Sequence, residues 1–162
     1  VARSIAPPEH WALTDLVVVV SREHKAIGST AGHALAPSSP LQAARVADAP
    51  RRLRIAKEAL LARNFAVLAP LVEQDSDMMH GVMMTSSPPL LYWLPGTLAV
   101  MGAVRRWRFE GLAVCYTIDA GPNVHVLCAA GAAEETRRKL ASMDGVLDVI
   151  QAGVGGPARL VS

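Results

Sequence analysis

Two short apolar runs, Leu112–Ile118 and Val124–Ala129, are separated only by Asp119-Ala120-Gly121-Pro122-Asn123. Runs of this length, closed by a Gly-Pro turn signal, predict two strands joined by a tight connection. A third run, Leu13–Ser21, has Val17-Val18-Val19-Val20 at its centre and is apolar on both faces. All three runs are predicted at central, buried positions of a sheet. A long helical stretch lies between the first strand and the other two. The predicted order β-α-α-α-β-β-α-β-β therefore defines an α+β domain, an antiparallel or mixed sheet with helices packed on one face.

The connecting elements follow from local signals. Gly28-Ser29-Thr30-Ala31-Gly32 reads as a loop that leads into a short helix, two hydroxyls flanked by two glycines. Ser39 followed by Pro40 predicts a helix start. Pro50–Arg63 predicts an amphipathic helix, with Leu53, Ala56, Leu60 and Leu61 on one side and Arg51, Arg52, Lys57 and Glu58 on the other. The basic set Arg51, Arg52, Arg54 and Lys57 lacks interleaved aromatics and reads as a solvated face. Asn64-Phe65 opens a helix to about Met84, with Pro70 inside it as a candidate kink, and Ser86-Ser87-Pro88-Pro89 stops it. A helix over about Gly96–Arg108 presents Leu98, Met101, Val104 and Trp107, and Gly111 follows as its C-cap. Ala132–Met143 is the last predicted helix. Val146–Ala152 and Ala158–Val161 read as strands joined by a tight return over Gly153–Pro157, beside which Arg159 is a candidate anion contact.

Composition excludes several classes. The 162 residues are 51% hydrophobic and 19% charged, which fits one globular domain, residues 1–162, and not a disordered chain. A net charge of +2 excludes a polybasic nucleic-acid arm as the main theme. The longest apolar runs, Leu16–Val20 and Leu98–Val104, fall far short of the roughly 20 residues of a membrane span. Two cysteines without a CxxC exclude a disulfide scaffold and a four-cysteine zinc site, and predict a reducing, cytoplasmic setting. The chain opens on Val1 with no charged-then-apolar segment, so it is expected to be either a shortened chain or the second half of a longer protein.

Chemistry concentrates at a few places. Asp119 leaves a buried strand directly into a Gly-Pro turn, so it is either a capping turn residue or a rim carboxylate placed to accept or orient a proton. The hydroxyls of Ser29 and Thr30 suit an anion, although the spacing matches neither a Walker A loop nor GxGxxG; a plain loop is the alternative. Ser76 and His80 are four residues apart and share a helix face, with Asp77 three residues before His80 and able to pair with it. That face is either a cleft-lining stripe or a solvated one. His10, His24, His33 and His125 show no metal-ligand spacing.

At these residues the chain resembles a family. Ile5-Ala6-Pro7, Trp11, Ser29-Thr30-Ala31-Gly32, Asp75-Ser76-Asp77-Met78-Met79-His80, Pro88-Pro89-Leu90-Leu91-Tyr92 and Tyr116-Thr117-Ile118-Asp119-Ala120-Gly121-Pro122-Asn123 run in the order of motifs of the diphosphomevalonate decarboxylases, in the GHMP kinase superfamily. The similarity spans about Ile5 to Ala129 and is most specific in the last motif. It implies a GHMP kinase C-terminal-type domain, the C-terminal half of a two-domain enzyme whose N-terminal ATP-binding half lies outside these residues. The implied activity is ATP-dependent phosphorylation of the 3-hydroxyl of a mevalonate phosphate followed by loss of phosphate and CO2, diphosphomevalonate giving isopentenyl diphosphate. Asp119 matches the family's catalytic aspartate. Ser29, with Thr30 beside it, matches the hydroxyl at the substrate's phosphate end, and Ser76 and His80 match positions lining the cleft. ATP and Mg2+ are implied for the complete enzyme and neither for this chain alone, which is expected to be inactive. A homodimer is an expected assembly; nucleic acid and membrane are not expected partners.

Two residues depart from the family pattern. Asp77 stands where Asn is usual and His33 where Met is usual. An extra negative charge beside the substrate would disfavour a diphosphate more than a monophosphate. A phosphomevalonate decarboxylase, a kinase that phosphorylates mevalonate without decarboxylating it, and a non-catalytic stand-alone binding domain are therefore the alternatives.

Overall fold

The computed structural model describes residues 4–23, 27–129 and 131–156. Four strands, β1 (Leu13–Val19), β2 (Val114–Ile118), β3 (Val124–Ala129) and β4 (Asp148–Gly153), form one sheet in the order β2-β3-β1-β4. Every neighbouring pair is antiparallel. The helices are α1 (Ser29–Leu35), α2 (Gln42–Leu61), α3 (Phe65–Met84), α4 (Pro95–Phe109) and α5 (Ala133–Ala141). The α+β class and the antiparallel sheet are as the sequence predicts. The predicted strand Ala158–Val161, and Arg159 in it, lie outside the described residues.

Alternation along the strands sorts the two faces of the sheet. Leu16, Val18, Val114, Tyr116, Ile118, Val124, Val126 and Cys128 point to one face and are buried. Val100, Met101, Val104 and Trp107 of α4 and Leu140 of α5 close over them in a single core. Each fully buried side chain of this size contributes roughly 1.5–3 kcal/mol, so this layer holds the fold. Gly96 lets the start of α4 approach the sheet, because a Cβ there would lie 3.3 Å from the Val20 Cβ. The opposite face carries Asp15, Val17, Thr117, His125 and Leu127, all half-buried.

Three expectations are corrected. First, β2 is an edge strand, not a central one. It is buried because α3 packs along its outer side. Second, the helix predicted from Pro50 begins at Gln42 and runs through Pro50. Third, its orientation is rotated from the predicted one: Leu53 is 71% exposed, while Arg52 is only 4% exposed. The reason lies on α3. Arg52 donates Nε to Asp75 Oδ1 at 2.9 Å and Nη1 to Asp48 Oδ2 at 2.8 Å and to the Met78 sulfur at 3.5 Å. Small residues such as Ala56 and the buried Ala59 let the two helices lie close enough for this. α3 itself spans Phe65–Met84, continuous through Pro70, with the Asn64 side chain accepting from the Val67 N–H at its start.

Candidate functional site

The Asp119–Asn123 turn is held from three directions. Behind it, Ile118 is fixed by α3: its N–H donates to Ser76 Oγ at 3.0 Å, and His80 Nε2 donates to its carbonyl at 3.1 Å. Beyond it, Asn123 Oδ1 accepts from the Val20 and Ser21 N–H groups at 2.9 and 3.1 Å, which ties the turn to the end of β1. From the side, Thr97 Oγ1 at the start of α4 donates to the Pro122 carbonyl at 2.6 Å. Asp119 thus has a fixed backbone, while its own residue is exposed at the rim.

It overlooks a cavity of about 400 Å³. Ser29, Gly32, Arg45, Asp75, Ser76, Tyr92 and Asp119 line this space together with His33 and three methionine or isoleucine side chains. Residues far apart in sequence are therefore brought together: the start of α1, the start of α2, the middle of α3 and the C-terminal end of β2. Gly32 is required by contact, because a Cβ at this position would sit 2.9 Å from the Tyr92 hydroxyl. The Gly28–Gly32 segment is helical from Ser29 onward, so the predicted loop is shorter than the sequence suggests.

The sequence-derived candidates divide as follows. Asp119, Ser29 and Ser76 line the cavity; Thr30 and His80 do not. His80 is 1% exposed and packs edge-on to Tyr92 and obliquely to Trp93. Burial lowers its pKa from the usual histidine value, and the bond to the Ile118 carbonyl only partly opposes this. It stands behind the cavity as a neutral support for the Asp119 loop. Asp77 does not pair with His80. It bonds Arg105 of α4 at 2.6 Å and the hydroxyl of the buried Tyr116 of β2 at 3.0 Å. Asp77 is not among the residues that line this cavity, because helical spacing points position 77 in a different direction from position 76.

Two cavity residues escape a reading of the sequence alone. Arg45 lies outside every recognisable motif. Tyr92, within the Pro-Pro-x-x-Tyr segment, carries a buried hydroxyl without a hydrogen-bond partner among the described residues. A signal for Tyr92 exists in that segment; none exists for Arg45, whose position depends on where α2 begins.

Comparison with known proteins yields a consistent set. A family model described as the mevalonate 5-diphosphate decarboxylase C-terminal domain matches residues 15–152. The diphosphomevalonate decarboxylase of Candida albicans is 35% identical over 125 residues, covering 75% of this chain and 34% of the relative. The structure of mevalonate pyrophosphate decarboxylase from Streptococcus pyogenes superposes with a TM-score of 0.84 at 25% identity, over 93% of this chain and 47% of that one. The structure of MDDEF in complex with MVAPP, AMPPCP and magnesium superposes with a TM-score of 0.83 at 27% identity, over 93% and 47% of the two chains. The chain therefore spans about a third of the curated relative and just under half of the two solved structures.

Proposed function

The chain belongs to the mevalonate 5-diphosphate decarboxylase C-terminal domain family, and from that premise we propose that it supplies the substrate cleft and the catalytic carboxylate of an ATP-dependent decarboxylase acting on mevalonate diphosphate. The observation that carries this is the Asp119 turn: an exposed carboxylate at the mouth of a cavity, with its backbone pinned on both sides by Ile118 and Asn123. Such a group can meet the substrate's tertiary 3-hydroxyl, accept its proton and leave the oxygen nucleophilic. Ser29 Oγ, on the same cavity, donates to the phosphate end. Ser76 and His80 act through Ile118, holding the strand end from which Asp119 projects.

ATP supplies the phosphoryl group in the complete enzyme, and Mg2+ accompanies it, as AMPPCP and magnesium do in the similar MDDEF complex. We assign both to the part of the relatives' length that this chain does not span. Among the described residues no group of three or more His, Cys, Asp or Glu is placed to hold a metal ion. The sequence contains neither a Walker A loop nor GxGxxG. The partner we infer is an N-terminal GHMP-type half, corresponding to length of the relatives that this chain does not span. No helix among the described residues is long and apolar enough to cross a membrane. The two cysteines are free and buried, consistent with a cytoplasmic enzyme. Asp77 bonds Arg105 and does not line the cavity, so its charge gives no ground for preferring the monophosphate over the diphosphate.

The test is Asp119→Asn in the assembled enzyme. It keeps shape and removes basicity, so kcat should fall by roughly 10²–10⁴ with little change in substrate Kd. Retention of more than about a tenth of the wild-type kcat, less than a general base is worth, returns Asp119 to the role of a turn residue.

A further inference from the structure

A phosphorylated substrate brings several negative charges into a cavity whose wall already carries two carboxylates, Asp75 and Asp119. Recognition then needs a cation on that wall. Among the described residues lining the cavity, the guanidinium is that of Arg45.

Its present contacts leave it free to act. Arg45 Nη2 is 3.4 Å from Asp75 Oδ2, long for a charge-assisted hydrogen bond, and the side chain is 26% exposed. Asp75 does not depend on it, because Arg52 Nε already holds Asp75 Oδ1 at 2.9 Å. The Nε of Arg45 is buried and has no hydrogen-bond partner among the described residues. The backbone, by contrast, is fixed: the Arg45 carbonyl accepts from Arg52 Nη2 at 3.1 Å. The buried Arg52 thus does two things at once, anchoring the backbone of Arg45 and occupying its carboxylate.

We propose that Arg45 is the phosphate-contacting cation contributed by this domain, exchanging its long contact with Asp75 for a bidentate grip on phosphate oxygens. This rests on reading the cavity as the mevalonate diphosphate cleft. The planar guanidinium fork matches two phosphate oxygens, which an ammonium group does not. Arg45 therefore discriminates phosphorylated from unphosphorylated substrate, while Asp119 acts at the other, reacting end.

The experiment is calorimetric titration of the 162-residue chain with inorganic pyrophosphate, alongside thermal melting without ligand. Arg45→Gln should weaken binding about tenfold or more, and Arg45→Lys by a smaller factor, as expected for loss of a charged fork and of its geometry. Asp75→Asn should tighten binding, and that gain should vanish in an Arg45→Gln background; a purely structural Arg45 would not produce this coupling. If wild-type chain binds pyrophosphate and Arg45→Gln binds it equally well, the assignment of Arg45 is wrong and the cleft stands. If the wild-type chain shows no binding at millimolar pyrophosphate, the phosphate-cleft reading falls with it. Should Arg45→Gln fail to fold by melting, Arg45→Lys decides, unchanged affinity overturning the proposal.

Discussion

A neutral histidine sealed against a backbone carbonyl makes the molecule sensitive to acid in a definite direction. His80 titrates below its ordinary value because it is buried. Between the folded value and the unfolded value of about 6.5, the unfolded chain binds the extra proton, so stability falls as pH drops through that window. His125 acts in the opposite sense. It bonds Asp15 Oδ2 at 2.8 Å, and that partner raises its pKa, so its contribution is complete below about pH 6.5 and is lost as pH rises through the raised value. Urea denaturation from pH 7.5 down to pH 5 should show His80→Asn flattening the acid loss, whatever its cost at neutral pH, and Asp15→Asn making it steeper. An unchanged pH slope in both variants would remove the histidines from the account. Asp119 and Ser76 were legible in the sequence as cavity candidates because each sits at a fixed offset from a strand or within a helical turn, whereas His80, expected to line the cleft with Ser76, stands behind the cavity. The half-buried Arg45 and the buried Arg52 were not legible, since an arginine turned inward is recognisable only once its partner on another helix is in place.

At the level of elements, the distinctive feature is a helix doing the work of a missing strand. The outward-facing backbone groups of β2 are met by side chains: Tyr116 N–H by Glu73 Oε1, Ile118 N–H by Ser76 Oγ, and the Val114 carbonyl by Arg108 Nη1 at 3.2 Å. Glu73 is 3% exposed and is also bonded by Arg108, so it joins α3, α4 and β2. Glu73→Ala takes the carboxylate from a half-buried guanidinium and leaves a strand N–H unpaired, and should cost roughly 1.5–3 kcal/mol in urea denaturation, the range for hydrogen bonds to a charged group. A loss below about 1 kcal/mol, the value of a surface ion pair, would show that Arg108 simply turns to solvent. The limits of α3 were readable from Asn64 and from Ser86-Ser87-Pro88-Pro89, because caps and prolines act locally. The place of β2 was not. An edge strand sealed by a helix is as apolar on both faces as a central one, and only tertiary packing separates the two. The start of α2 was signalled by Ser39-Pro40, but its continuity was hidden, since Pro50 carries a second start signal that the helix overrides.

For the molecule as a whole, the domain carries the carboxylate that we propose as catalytic and the cavity that we propose as the substrate cleft, and its sequence contains neither a Walker A loop nor GxGxxG. The purified 162-residue chain, supplied with ATP, Mg2+ and mevalonate diphosphate, should release no CO2 and hydrolyse no ATP; radiolabelled CO2 release above background would refute the division of labour between two halves. The sealed flank of the sheet has a further consequence for how copies of the molecule can meet. Among the described residues the outer edge of β4 is unpaired, whereas that of β2 is closed by α3. Backbone pairing between two copies can therefore occur on one side only. Two β4 edges can join, but the resulting ribbon ends at a closed β2 on each side and has no site for a third chain. Among the described residues, stacking of strands stops at two molecules, so the helix that steadies the Asp119 turn also bars this sheet from growing into a fibre.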